Sequence, residues 1–555
     1  MKILLIKRLA FGLLLIAGLT SSCTEYLDLE PETDWDVKNF YSNESEVNIA
    51  LAGIYSQFSS NRVYGEEFMM MDYGTDEGYN GRAFASEPQV NIYNHSPSTY
   101  VIQDVWENFY SAINLSNSLI ANLDPSKFDG DEANIFIAEA RFLRGFAYLQ
   151  LVSWFNEVPL RLEPTVGPES NHIPPASLEE IYNQIIADLE FAAENLPHAS
   201  DSDYIPGHAN SMAAHGLLAR TYLKMAGYPL QDTSKYQQAM ESAKKVIDDP
   251  YHTLVMGENG YREVFLNYIE NKYDTRESLF EIAFADGSDL GVGIHGKIGT
   301  SNGLNFKNNP DVGYPVAKVK VVPSPVVESL YEEEDQRLDW NLPGIFHNNG
   351  TIREQGPLDF AYSLGKFRRW EPVFRDDLEA SNAVSPSFVL LENTSSPNKG
   401  TTGINFPVLR YSDVLLMYAE ASNEVNEGPT PEAIDALNQV RNRAGVANIE
   451  DAEEGNPEAI ASKESFFDEL VDERMRELCF EGLRKQDLIR WGLLGDRLEY
   501  LEEVIKGHPN YDPSRNAIIG YLRCVDNFVP EKHLSLPYPA QEVQINNKLD
   551  QKPGW

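Results

Sequence analysis

Two stretches of this chain gather the residue types that a binding site needs. In MMMDYGTDEGYNGRAF, residues 69–84, carboxylates, an amide and a guanidinium alternate with rings at Asp72, Tyr73, Asp76, Tyr79, Asn80 and Arg82. Further along, Asn305, Tyr314, Trp340, Phe346, Tyr362 and Trp370 fall among Gly, Asn and Pro. Ring faces cover flat apolar surface while acids, amides and Arg make directed hydrogen bonds, so both stretches suit a ligand with polar edges and apolar faces. Packing inside a core is the competing use of each ring. Trp106 and Trp154 have that use, because they fall on helical faces. Catalytic spacings are missing: there is no HExxH, GxSxG or paired CxxC, and the ten histidines are scattered. A pair of carboxylates can cleave a glycosidic bond, but among 85 acidic residues some pair is always at hand, so the signal carries no weight. The acidic runs Asp201-Ser202-Asp203 and Glu332–Asp335 lack EF-hand spacing and read as solvated charge.

Cys23 has a chemistry of its own. Lys2, Lys7 and Arg8 precede an apolar run from Leu9 to Leu19, and Thr20, Ser21 and Ser22 lead into the cysteine. This is the pattern of a cleavable export signal, too short for the roughly 18 residues of a spanning helix. Small residues before a single cysteine resemble the bacterial lipobox, in which the thiol takes a diacylglycerol and becomes the first residue of the mature chain. The leucine stands four residues before the cysteine, at Leu19, where the usual pattern has it three before. Stable anchoring would need more than one acyl chain on Cys23. Loss of residues 1–22 removes three basic residues and no acidic ones, taking the net charge from −40 to −43. That excess argues against nucleic acid as a partner, since phosphate binding needs clustered Lys and Arg. Only Cys479 and Cys524 remain, so one disulfide is the most the mature chain can form, and Cys479, inside ELCFEGL, reads as a buried free thiol.

The elements that must position these residues are mainly helical. Apolar residues recur at helical spacing over 44–60 and 103–124, and residues 131–156 are apolar around most of the helix, which predicts a helix enclosed by others. Ala138, Ala140, Gly145 and Ala147 would let a neighbour come close. Ser177 followed by Glu180 is a capping box. Near the C-terminus, further helices start at FPVLRYSDVLLMYAEASNEV, PEAIDALNQVRNRAGV and ESFFDELVDERMRELCFEGLRKQDLIRWGLL. Helix pairs with small contacts and Pro or Gly turns are tetratricopeptide-like, though too irregular for a 34-residue repeat. From about 255 to 405 the helical pattern gives way to long loops, which in a folded domain tend to be functional. The expected organisation is a signal peptide at 1–22, a lipidated tether at 23–39 and a single domain over 40–555. That domain comprises an N-terminal part (about 40–254), a loop-rich middle (about 255–405) and a C-terminal part (about 270–555). Arg141, Arg144, Glu481, Arg484, Lys485 and Asp487 fall on core helices and read as a structural charge network, because a buried guanidinium needs several acceptors.

Five segments together carry a resemblance to a known family: AEARFLRGFAYLQLVSWFNEVPL (138–160), VLRYSDVLLMYAEASNEV (408–425), RNRAGV (441–446), DERMRELCFEGLRKQDLIRWG (472–492) and LPYPAQEVQINNKLDQKPGW (536–555). With CTEYLDLEP (23–31) before them, in the same order, they resemble the SusD/RagB family of outer-membrane lipoproteins. The resemblance implies a mainly α, SusD-like fold with degenerate tetratricopeptide-type helix pairs and a loop-rich ligand-binding side. It implies a lipoprotein on the surface of a Gram-negative cell that binds a glycan or oligosaccharide nutrient and delivers it to a SusC-like TonB-dependent transporter. Neither catalysis, cofactor nor metal is implied. With a sugar as the ligand, Asp72, Tyr79, Arg82 and Trp340 are the residues expected to touch it. The contrasting expectation is a tetratricopeptide-type scaffold that organises other surface proteins and has no ligand of its own.

Overall fold

Helix α1 (Glu44–Phe58) starts where the Asn43 side chain accepts the Glu46 N–H, and its four-residue spacing buries Val47, Leu51, Ile54 and Phe58. It packs on α2 (Tyr100–Asn122), and the array continues through α3 (Glu132–Phe155), α4 (Leu178–Asn195), α5 (Ser211–Ala226) and α6 (Lys235–Ile247), each on the one before. The computed structural model describes residues 40–81, 89–285, 294–307, 315–348, 351–354, 360, 363–372, 388–394 and 399–555. The expected leader, Cys23 and the tether lie outside the described residues, as do Arg82, Tyr314 and Tyr362.

As its composition predicts, α3 is enclosed, with buried residues on every side. Its Arg144 donates to both carboxylate oxygens of Asp188 on α4, at 2.8 and 2.7 Å, and to Asn117 Oδ1 on α2 at 2.8 Å, tying three helices together. Arg141 has a different role from the expected ion pair: its guanidinium lies 4.2 Å from the Phe191 ring centroid. The capping box at α4 is complete, with Ser177 Oγ and the Glu180 carboxylate each accepting from the other's backbone.

The chain then leaves the array. Helix α7 (Gly260–Ile269) leads to β2 (Ser278–Ile282), and after the loop-rich middle β4 (Phe406–Arg410) returns antiparallel to β2. Within the excursion lie α8 (Gln336–Asn341) and β3 (Val321–Pro323), which pairs antiparallel with β1 (Gly78–Asn80). Helix α9 (Tyr411–Val425) packs directly on α6, then on α10 (Pro431–Arg443) and α11 (Lys463–Leu478), so the helical array resumes where it stopped. Helices α12 (Arg484–Trp491), α13 (Leu494–Gly507), α14 (Asn516–Asn527) and α15 (Ala540–Ile545) complete the described chain. One hydrophobic core runs from Tyr41 to Leu549, and a small one around Leu304, Phe306, Ala317 and Trp370 lies under the loops. Among the described residues no helix is long and apolar enough to cross a membrane.

Gly227, at the end of α5, touches α12 so closely that a Cβ would stand 2.4 Å from the Arg490 carbonyl oxygen, which also accepts the Tyr228 N–H. That oxygen cannot retreat without moving α12. Gly227→Ala is therefore expected to cost about 1–3 kcal/mol, the usual range for overpacking, read as a lowered thermal midpoint.

Between the array and the loops lies a buried ion network. Glu477 on α11 accepts from Arg410 at 2.8 Å and from Arg443, and faces Arg337 at 3.4 Å. Glu481 accepts from Arg410 at 2.8 and 2.7 Å and from Lys366 at 2.6 Å. Arg474 and Arg490 share Asp487, and Arg484 holds Asp76 through two bonds of 3.0 and 2.6 Å. The expected structural network is present and extends further than the sequence suggested. It also takes in Asp335, buried and paired with Arg337, so that residue of the 332–335 run is not solvated. Cys479 and Cys524 are both buried free thiols.

Candidate functional site

Helix α7 presents Tyr261 and Arg262, α8 presents Gln336, Asp339 and Trp340, and the short strand Trp370–Pro372 with the residues just before it supplies Glu371 and Arg368. With Glu258 and Asn259 these line a cavity of about 400 Å³. Its floor is fixed. The Tyr261 hydroxyl donates towards Asn341 Oδ1 (3.1 Å) and the Glu477 carbonyl (3.2 Å), and the Trp340 indole N–H donates to the Lys366 carbonyl at 3.2 Å. Arg368 lies over the Trp340 ring, 4.1 Å from its centroid, and donates to the carbonyls of Gly365, Asp339 and Trp340. Arg262 lies 5.6 Å from the same ring and reaches Glu371 at 2.6 Å across the mouth.

Arg368 differs from its counterparts in one respect. Among the described residues eleven arginines are buried, and ten of them stand within 4 Å of a carboxylate; Arg368 does not. Burial lowers its guanidinium to about 10, with Glu371 pulling the other way. A buried cation held only by carbonyls retains attraction for an oxygen-rich or anionic group entering the cavity. The lining thus offers cationic, anionic and amide groups around an aromatic wall, the mixture that fixes a polyhydroxylated ligand by many directed bonds.

The residues predicted from sequence are not brought together. Asp72 is 1% exposed and sits beside Lys485, with burial raising its carboxyl to about 6 against the pull of that ammonium. Tyr79 is 2% exposed; its strand pairs with β3 and its ring meets Tyr521 edge-on at 4.8 Å over Gly520. The expectation that both face outward from a loop is corrected: Arg484 and Lys485 from α12 fold over this segment, capping Asp76 and the Met71 carbonyl, and bury it. Trp370 is fully buried in the small core, its N–H on the Leu304 carbonyl. Trp340 does line the cavity, but at 4% exposure and beneath Arg368 it supports the wall and is not an open stacking platform. Arg262, Arg368 and Glu371, which line the cavity, were not singled out from sequence. The basic run in GKFRRWEP, unusual in so acidic a chain, was the available signal.

Comparison with known proteins then decides the lineage. The profile of the SusD family matches residues 327–555, which include α8, Arg368, Glu371 and most of the ion network, and a second profile, described as starch-binding and associating with outer membrane, matches residues 25–223. The chain belongs to the SusD family. A SusD-like protein of Formosa agariphila is 27% identical over 95% of both chains. The crystal structure of a SusD homologue from Bacteroides thetaiotaomicron superposes with a TM-score of 0.79 at 24% identity, covering 94% of this chain and 98% of that one. A laminarin-binding SusD-like protein gives 0.66 at 23% identity, covering 93% and 100%. At these identities the structural likeness establishes the fold: a mainly helical SusD architecture with few, small sheets.

This SusD family member has a second concavity, of about 500 Å³, on the helical array between α2 and the 159–171 connection, lined in part by Tyr110, Asn114, Arg161 and Glu163. Its cation, Arg161, is also held by carbonyl and amide oxygens, those of Ser170 and Asn171, but it is only half-buried. The cavity at Trp340 is the better candidate because its cation, Arg368, is buried against the aromatic wall, where an unneutralised charge is felt more strongly.

Proposed function

We propose that this protein binds a glycan at the cavity walled by Trp340 and passes it to a TonB-dependent outer-membrane transporter, without cleaving it. The observation that carries the binding step is Arg368, a buried guanidinium with no carboxylate partner among the described residues, opening with Arg262 and Glu371 onto the loop-rich side. Support for a sugar ligand comes from the starch-binding description of the N-terminal profile and from a structural relative named as laminarin-binding. Support for the membrane surface comes from the same profile and from the lipobox-like Cys23. The helical array offers the transporter a rigid face, while the loops hold the ligand.

Affinity electrophoresis of the mature protein against a glycan panel tests the reading. Retention by at least one glycan, with no reducing sugar released, is expected. Sugar release would overturn the non-catalytic assignment. Failure to bind any glycan while a barrel co-purifies would favour the scaffold without a ligand.

The tether carries a separate prediction. Cys23→Ala should shift the protein from the membrane to the soluble fraction, because acyl chains supply the anchor, and leave glycan affinity of the purified protein unchanged. Loss of affinity in that variant would show that anchor and ligand site are not independent.

A further inference from the structure

Where α4 and α6 end, three metal-ligating side chains meet. Among the described residues His198, Asp249 and His252 form the group of three whose ligand atoms all lie within 4.8 Å of one another. His198 follows α4, and Asp249 and His252 follow α6. His198 Nε2 stands 3.1 Å from Asp249 Oδ2, yet neither His198 Nε2 nor His252 Nε2 makes a hydrogen bond, although both are buried. His252 is 3% exposed. The His252 Nε2 thus forfeits its hydration and gains nothing in return, which is a cost the fold normally avoids.

The atoms that do make bonds are those that orient ligands. His252 Nδ1 lies 3.2 Å from the Arg276 carbonyl, so it carries the proton and leaves Nε2 as a bare lone pair. Asp249 Oδ1 accepts the N–H groups of Tyr251 (2.9 Å) and His252 (3.3 Å), so Oδ2, which faces His198 Nε2, is the oxygen turned toward the two imidazoles. His198 Nδ1 accepts the Ser200 N–H at 3.1 Å and stands 2.6 Å from Ser200 Oγ; for Nε2 to take an ion, the ring proton moves to Nδ1, which gives up the Ser200 N–H and donates to the hydroxyl.

We propose that His198, Asp249 and His252 form a divalent transition-metal site, with zinc as its ion. Two imidazoles and one carboxylate suit zinc, whereas calcium and magnesium take all-oxygen shells. Three protein ligands leave the fourth tetrahedral position to water. The Thr253 N–H bonds the Arg276 carbonyl, and the 274–278 segment runs into β2. A bound ion would therefore staple the loops after α4 and α6 to each other and, through Arg276, to the sheet that closes the excursion of the chain. The site shares no residue with the Trp340 cavity, so the two proposals stand or fall separately.

The full mature chain, stripped with a chelator, would be titrated with zinc chloride in a calorimeter and melted with and without the ion. One zinc per chain and a raised thermal midpoint are expected. His252→Ala should weaken binding more than about 100-fold, since even outer-shell partners are worth 10–100-fold, and should abolish the rise in midpoint. His252 is buried, so its loss could unsettle the fold. His198→Ala, at a partly exposed position, is the second variant: it should lose zinc equally while melting near the parent in the absence of metal. Cobalt bound in place of zinc should show a tetrahedral spectrum that either substitution removes. No stoichiometric zinc in the parent, or uptake that survives both substitutions, would overturn the site.

Discussion

Glu477→Gln is expected to lower the thermal midpoint more than any other single substitution considered, at a cost of about 3–5 kcal/mol, the range for breaking a buried ion pair from one side. Glu477 is fully buried, and Arg410, Arg443 and Arg337 converge on its carboxylate. The isosteric amide keeps the shape and removes the charge, so the guanidiniums would keep their desolvation cost without its compensation. Whole domains are stable by only about 5–15 kcal/mol, so this is a large share. Circular dichroism melting is the measurement, and an unchanged midpoint would show that Glu277, Glu473 and Glu481 suffice alone. Acid titration gives an independent reading. Burial alone would push the Glu473 carboxyl up, but the Arg337 and Arg476 guanidiniums overcome this and hold it at about 2, below its ordinary 4.5. A depressed carboxylate contributes stability that is present above its unfolded value and is lost as the pH falls through its folded one. Stability should therefore drain between about pH 4.5 and 2 in the parent, and more shallowly in a Glu473→Gln variant.

Trp340→Ala is expected to abolish glycan retention, with a loss of about 2–4 kcal/mol, or about 30- to 1000-fold. Its ring carries Arg368 at 4.1 Å, so removing the indole takes away the aromatic wall on which the cation rests, although its bonds to backbone carbonyls remain. Truncating a buried indole also costs stability, and a comparison is needed that does not. Arg262→Ala serves, because that side chain is one-third exposed and its salt bridge to Glu371 spans the mouth. It should weaken binding while leaving the midpoint near the parent. Arg161→Ala, in the other concavity, should leave binding unchanged. If Trp340→Ala and Arg262→Ala bind like the parent and Arg161→Ala does not, the ligand site is on the helical array and the proposal is wrong. Gly365 is tied to the same geometry, since a Cβ there would stand 2.5 Å from both the Trp340 carbonyl and Arg368 Nη2.

Much of the scaffold was legible because helical periodicity is a local property. The apolar spacing of α1, the mostly apolar circumference of α3 and the Ser177–Glu180 capping box each depend on residues within a few turns, and all three are present. The Arg and Glu residues of DERMRELCFEGLRKQDLIRWG also read correctly as structural, since charges on an otherwise apolar helix must find partners inside. Their partners were not legible. Glu477 meets Arg410 across 67 residues and Arg484 meets Asp76 across 408, and nothing local encodes such distances.

The same long-range closure explains the failure at Asp72 and Tyr79. As sequence, Asp72 and Tyr79 stand in a Gly- and Asp-rich stretch that looks like an exposed loop; in three dimensions α12 and α14, more than 400 residues away, cover them. Trp340 lines a cavity but is not the open ring a loop reading suggests, because exposure of a ring depends on what the fold lays over it, here Arg368. By itself the sequence determined that this is an acidic, mainly helical SusD family chain whose middle departs from the helical array. Only the tertiary structure decided which polar residues are spent inside and which remain available: whether a guanidinium is neutralised depends on carboxylates brought in from elsewhere, and among the described residues Arg368 is the buried arginine to which none is brought.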